Sequence, residues 1–212
     1  MNNKPIIIVC GEPNSIFSEI IVKSFKRYNA SKPIILIGSY NLIMSQTKKI
    51  NLKIKLNVIN LKNNFFTNLS KKKINIIDIN YKFKKPFEKI STKSNKYILN
   101  YFEKAFQIIK NNQISGLING PISKENFLKG KYLGITEFLA SKYKLKENYT
   151  MLIYNKYLSV SPITTHLPVS KISKNIKKKK IVDKILLIKN FYMDNFSKNV
   201  KIAVSGLNPH CE

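Results

Sequence analysis

The chain has 212 residues, 43% of them hydrophobic, enough for one substantial core or two small α/β lobes. No apolar run reaches bilayer length, and Met1-Asn2-Asn3-Lys4 leads straight into a strand-like segment without a signal-peptide pattern, so no membrane partner is expected. The formal net charge of +27 points toward nucleic acid only superficially, because Arg27 is the single arginine and base reading leans on bidentate arginine.

The lysines are scattered apart from Lys71–Lys73 and Lys177–Lys180, which read as solvated ends of elements. With abundant asparagine and isoleucine, this is the profile of an AT-rich genome, and no nucleic-acid partner is expected. A basic nucleic-acid binder is the competing class, and its affinity would collapse at physiological salt. Cys10 and Cys211 make no disulfide framework, so a cytoplasmic location is expected.

In chain order, Pro5 to Cys10 reads as a buried parallel strand ending at Gly11. Ser15 to Tyr28 places Ile16, Phe17, Ile20, Ile21, Ser24 and Phe25 at helical spacing. Pro33 to Gly38 is a second strand and Asn41 to Lys48 a short helix, with further strands at Ile54 to Ile59 and Ile74 to Ile79. Ser94 is placed to cap a long helix bearing Tyr97, Ile98, Tyr101, Phe102, Ala105, Ile108 and Ile109. Gly116 to Asn119 is a strand broken by Gly120-Pro121, and Ser123 starts a short helix.

Thr136 to Tyr143 is expected to be helical, followed by an antiparallel pair, Thr150 to Tyr154 and Tyr157 to Ser161, around Asn155-Lys156. Ile181 to Phe196 is an amphipathic helix, and Lys201 to Ser205 a last strand. Strands alternating with helices predict an α/β fold, in α/β/α layers with a largely parallel sheet.

The two histidines stand in Thr164-Thr165-His166-Leu167-Pro168 and Gly206-Leu207-Asn208-Pro209-His210. Each follows a strand-like run, so each imidazole should emerge into a turn where α/β proteins build sites. Two such imidazoles form part of a ligand set for a divalent metal; capping of two unrelated turns is the bland alternative. Gly120-Pro121-Ile122-Ser123-Lys124 follows a strand and opens a helix, a place for an anion such as phosphate, with Lys124 adding charge. A plain strand-to-helix turn with an exposed lysine is equally open. No Gly-x-Gly-x-x-Gly follows the first strand, so an ordinary Rossmann cofactor site is not expected.

Five blocks recur here in the order and rough spacing of one family: Gly11-Glu12-Pro13, Gly116 to Lys124, Gly134 to Ala140, and the two histidine segments. On them the chain resembles the 4-hydroxythreonine-4-phosphate dehydrogenase family of pyridoxal phosphate biosynthesis. The resemblance implies an isocitrate/isopropylmalate dehydrogenase-like fold, NAD or NADP as cofactor, and a divalent metal (Zn, Mg or Co). It implies a small phosphorylated substrate and a homodimer whose active site lies at the subunit interface. Three histidines hold the metal in the family, and His166 and His210 match the first two.

The family's Gly-His-Thr-Glu segment contacts substrate; here Ile135 stands at the histidine, while Thr136 and Glu137 remain. Thr136 is therefore expected to bind substrate, with helix capping as the plain alternative. Glu12 is a further site candidate, although Ser15 and Phe17 replace glycines that normally follow. Approximate lobes of 1–120 and 121–212 are expected. Against the family's length the chain reads as lacking the C-terminal third, so the 212 residues by themselves are expected not to turn over substrate. A sister dehydrogenase of a phosphorylated four-carbon sugar acid and a non-catalytic remnant are the competing readings.

Overall fold

The computed structural model describes residues 4–29, 31–60, 65–111, 114–145 and 148–206. The chain divides into two compact units, Met1–Gly130 and Lys131–Glu212. In the first, five parallel strands run in the order β3-β4-β2-β1-β5: β1 (Ile6–Val9), β2 (Ile34–Gly38), β3 (Leu56–Val58), β4 (Ile74–Asp78) and β5 (Gly116–Asn119). Ile7 pairs with Ile35 on one side and Leu117 on the other, so β1 is internal and β5 an edge.

Helices cover both faces. Ile8, Cys10, Ile34, Leu36, Ile74 and Ile76 pack with Phe17, Ile21 and Val22 of α1 (Phe17–Arg27) and with Ile43 of α2 (Tyr40–Lys49). The alternate residues Ile7, Val9, Ile35 and Ile37, all without exposed surface, point to the opposite face, where α3 (Asn95–Asn111) packs on β1 and β2. Each such buried aliphatic side chain contributes roughly 1.5–3 kcal/mol, which is how β1, β2 and β4 persist with only four or five residues each.

The helical face of α1 differs from the expected one. Phe17, Ser18, Ile21 and Val22 are buried, whereas Ile16 is 64% exposed and Ile20 43%. Helix starts at Phe17, after Ser15 Oγ has accepted the Phe17 amide, which turns Ile16 outward. Ser94 also departs from expectation. It ends a short 3-10 turn, and its hydroxyl binds Glu12 Oε2 and Ser91 O, both at 2.9 Å, instead of capping α3.

The second unit holds α4 (Ile135–Lys142), α5 (Val169–Asn175) and α6 (Lys178–Phe196). The expected antiparallel pair is reduced to one bridge, Ile153 with Val160. Asn155 Oδ1 accepts the Tyr157 amide at 2.9 Å and forms the turn between them. Lys201 to Ser205 forms no strand with any described residue, which corrects the expected last strand. Helix α5 was not anticipated. From Ser141 to Gly206 no described residue is buried. No helix among the described residues is long and apolar enough to cross a membrane.

Helix α6 opens poorly. Lys177 sits at the N-cap in extended conformation with no side-chain cap, and Lys178 to Lys180 occupy the first turn. Cations there oppose the helix dipole, and four amides lack a side-chain acceptor. Lys177→Asp is expected to add about 1 kcal/mol, read as a higher melting temperature by circular dichroism. An unchanged melting temperature would show that this end does not limit stability.

Candidate functional site

In the first unit, the chain leaves β1 toward β2 and fills the other side of β1 only with β5. Such a divergence of connections is where open α/β sheets place ligands, beyond the carboxyl ends of the strands. Here the two loops meet backbone to backbone. The Glu12 amide donates to Pro121 O at 2.7 Å and the Gly120 amide to Val9 O at 2.8 Å. Gly11 has φ 79°, and a Cβ on it would lie 2.3 Å from Pro121 O; one on Gly120 would lie 2.3 Å from Cys10 O. Both glycines are therefore required by close approach.

Gln46 Nε2 holds the same loop from α2, donating to Pro13 O at 2.6 Å and Pro86 O at 2.8 Å. Glu12 is 1% exposed, with Oε2 accepting from Ser94 Oγ at 2.9 Å and Oε1 facing the Asn14 amide at 3.4 Å. Burial raises its pKa above the ordinary carboxylate value, and the two hydrogen bonds only partly oppose this. A carboxyl with a raised folded pKa favours the fold when protonated and weakens it as pH climbs through its titration. Glu12→Gln removes that dependence. The stability of the variant relative to wild type is expected to rise as pH climbs above the ordinary carboxylate range, measured by urea unfolding at each pH. A gap constant with pH would show that Glu12 ionises freely.

Lys124 is exposed and begins a single turn, Lys124–Leu128, which buries Leu128 and is closed by the i→i+5 bond from the Lys129 amide to Lys124 O at 3.2 Å. Ser123 caps it as expected, its Oγ accepting from the Asn126 amide at 3.2 Å and Asn126 Nδ2 at 2.9 Å. So short a turn carries little dipole, and an anion there would lean on the Lys124 charge.

In the second unit, Gly134 is the N-cap of α4, so Thr136 lies inside the first turn and does not cap it. Its hydroxyl has no hydrogen-bond partner among the described residues. One position on, Glu137 Oε1 accepts from Thr165 Oγ1 at 3.2 Å, which ties the start of α4 to the Thr-Thr-His turn. His166 is exposed and has φ 56°. A residue other than glycine in the left-handed region is uncommon, and histidine is among the types that tolerate it best. A Cβ on Gly134 would lie 3.0 Å from Glu137 Oε2 and 3.5 Å from His166 Nε2. Thr136 and His166 are thus brought to one corner of this unit.

Two residues of this corner escaped the sequence reading. Glu137 passed as the neighbour of Thr136, although three residues after a glycine and beside an apolar run is a helix-start position for an acid. Lys184 of α6 donates to Pro162 O at 3.2 Å and is held below the ordinary lysine pKa by burial, then by Lys180, with Glu137 opposing. Nothing marked it among so many lysines. His210 lies outside the described residues. Among the described residues no three His, Cys, Asp or Glu side chains converge on one point. His166 accordingly stands as one accessible imidazole at this corner.

Residues 29–212 match the family described as pyridoxal phosphate biosynthetic protein PdxA. The 4-hydroxythreonine-4-phosphate dehydrogenase of Aquifex aeolicus is 30% identical over 98% of this chain and 64% of its own length. A Clostridium botulinum protein assigned as a D-threonate 4-phosphate dehydrogenase is 29% identical over 99% of this chain and 64% of its own. The chain thus spans about 64% of the length of these curated relatives. A solved 4-hydroxythreonine-4-phosphate dehydrogenase from Klebsiella pneumoniae shares the fold, with TM-score 0.72 and 22% identity over 89% of this chain and 59% of that one. The match over residues 29–212, most of the chain, places it in the PdxA family.

Proposed function

We propose that the protein oxidises 4-phosphooxy-L-threonine with NAD or NADP as a step of pyridoxal phosphate synthesis. The hydroxyl carbon gives a hydride to the nicotinamide and the hydroxyl gives up its proton. The product, 2-amino-3-oxo-4-phosphooxybutanoate, loses carbon dioxide to give 3-amino-2-oxopropyl phosphate. The observation that carries this reading is the junction of the Thr136-Glu137 helix start with the Thr165-His166 turn inside one unit. Thr136 is assigned to the substrate, Lys124 to its phosphate, and Glu12 to a lesser supporting part. His166 and His210 are assigned to a divalent metal (Zn, Mg or Co), which when bound polarises the substrate hydroxyl.

A cytoplasmic homodimer is part of the proposal. The second unit supports it by what it leaves open: Tyr157 is 88% exposed, and α6 shows Leu186, Phe191 and Met193 to solvent. A second reading has one observation in its favour. Ile135 cannot donate a hydrogen bond, and the Clostridium relative is assigned to a phosphorylated sugar acid, so 4-phospho-D-threonate is the alternative substrate.

The test is an NADH-absorbance assay on the protein purified from its own cells at the length it is made there. Metal-dependent NADH formation is expected with 4-phosphooxy-L-threonine and not with unphosphorylated threonine. Activity confined to 4-phospho-D-threonate would select the second reading, and inactivity with both would reject the dehydrogenase.

A further inference from the structure

The segment that carries His166 is weakly tied. Among the described residues, positions 162–167 make no backbone–backbone hydrogen bond. Two side-chain bonds hold them instead: Lys184 Nζ donates to Pro162 O at 3.2 Å, and Thr165 Oγ1 donates to Glu137 Oε1 at 3.2 Å. The first tie comes from α6 and the second from α4, so the segment is strung between two helices. One tie leaves a pivot, whereas two fix a direction. His166 follows Thr165 directly, with its side chain exposed.

Lys184 is well placed for the first tie. A lysine ordinarily keeps its ammonium in water, yet this one is half-buried, and the bond to Pro162 O replaces part of its lost hydration. Burial and Lys180 disfavour its charge while Glu137 favours it, so the one acid supports both ties. The ring of Pro162 locks its φ, and holding the carbonyl then fixes the peptide leading into Ile163. We propose that Lys184 is a positioning residue, which ties Pro162 to α6 and thereby sets the direction in which His166 presents its imidazole. This rests on the dehydrogenase reading above, which gives His166 its part in the reaction.

The experiment uses the protein at the length its own cells make, labelled with ring-13C histidine and free of metal. His166→Asn identifies the His166 ring signal by removing it. Lys184→Met keeps the aliphatic stem and removes the donor, and it is expected to shift and broaden that signal. Lys184→Arg, which still donates, should restore it. Because His166 is assigned to the chemical step and not to holding the phosphate, Lys184→Met should lower kcat about tenfold and leave KM within about threefold. Lys184→Arg should recover most of that loss. Should Lys184→Met not fold by circular dichroism, Lys184→Gln, one bond shorter, is expected to give the same shift. An unmoved His166 signal in an active enzyme, whatever the change in melting temperature, would leave Lys184 a stabiliser of α6 only, and the inference would fall alone. If wild type turns over neither 4-phosphooxy-L-threonine nor 4-phospho-D-threonate, the dehydrogenase reading falls and takes this inference with it.

Discussion

Gly11→Ala should destabilise the first unit by about 3–5 kcal/mol, a large share of a typical domain's total stability. Two costs add. At φ 79° an alanine carries a steric penalty of about 1–2 kcal/mol. Its Cβ would also lie 2.3 Å from Pro121 O, a backbone atom that cannot rotate away, so the 2.7 Å bond from the Glu12 amide must break. Gly38→Ala provides the contrast. Its Cβ would meet Cys10 Sγ at 2.1 Å, a side-chain atom. Adding Cys10→Ala should therefore recover part of the Gly38→Ala loss and none of the Gly11→Ala loss. Urea unfolding of the single and double variants measures both, and a wild-type midpoint for Gly11→Ala would refute the backbone contact.

The second large effect is on chemistry. His166→Ala is expected to strip bound metal and lower turnover about a thousandfold, the scale of several kcal/mol of Lewis-acid stabilisation. Because φ 56° is strained for alanine, His166→Asn is the better probe: asparagine tolerates the left-handed region but is a poor ligand. Both variants should lose metal by elemental analysis, and only His166→Ala should also melt earlier. His210→Ala should match His166→Asn in metal content. Undiminished turnover by His166→Asn after chelation would remove the histidines from the mechanism.

The first unit was legible because its strands have few alternatives. Short runs such as Ile6–Val9 and Ile34–Gly38, bounded by proline and glycine, are too apolar for a surface and too short for a helix. Errors there came from single polar atoms. Ser94 precedes a helical pattern like a cap, yet Glu12, far away in sequence, recruits its hydroxyl. That Glu12 is buried could not be read from its type, since glutamate is seldom buried unless paired. The second unit was less legible because strand pairing depends on neighbours. Lys201 to Ser205 has a strand's pattern and finds no ladder among the described residues. The candidate site divided in the same way: His166 and Thr136 carry motifs, whereas Glu137 and Lys184 matter only through where the turn and α6 put them.

The order β3-β4-β2-β1-β5 also has a consequence during synthesis. Strand β1 is synthesised before the other strands of this sheet, and β2 can join it early. Its other side waits for Gly116–Asn119, more than a hundred residues later, or roughly 5–20 s at ordinary elongation rates. Through that interval the strand that ends up inside the sheet is an open, strongly apolar edge, Ile6-Ile7-Ile8-Val9, able to pair with any other nascent chain. The nascent chain is therefore most exposed to misassembly, and most in need of a chaperone, just before β5 emerges. A synonymous slow codon ahead of Gly116 would lengthen that window without changing a single residue of the finished protein.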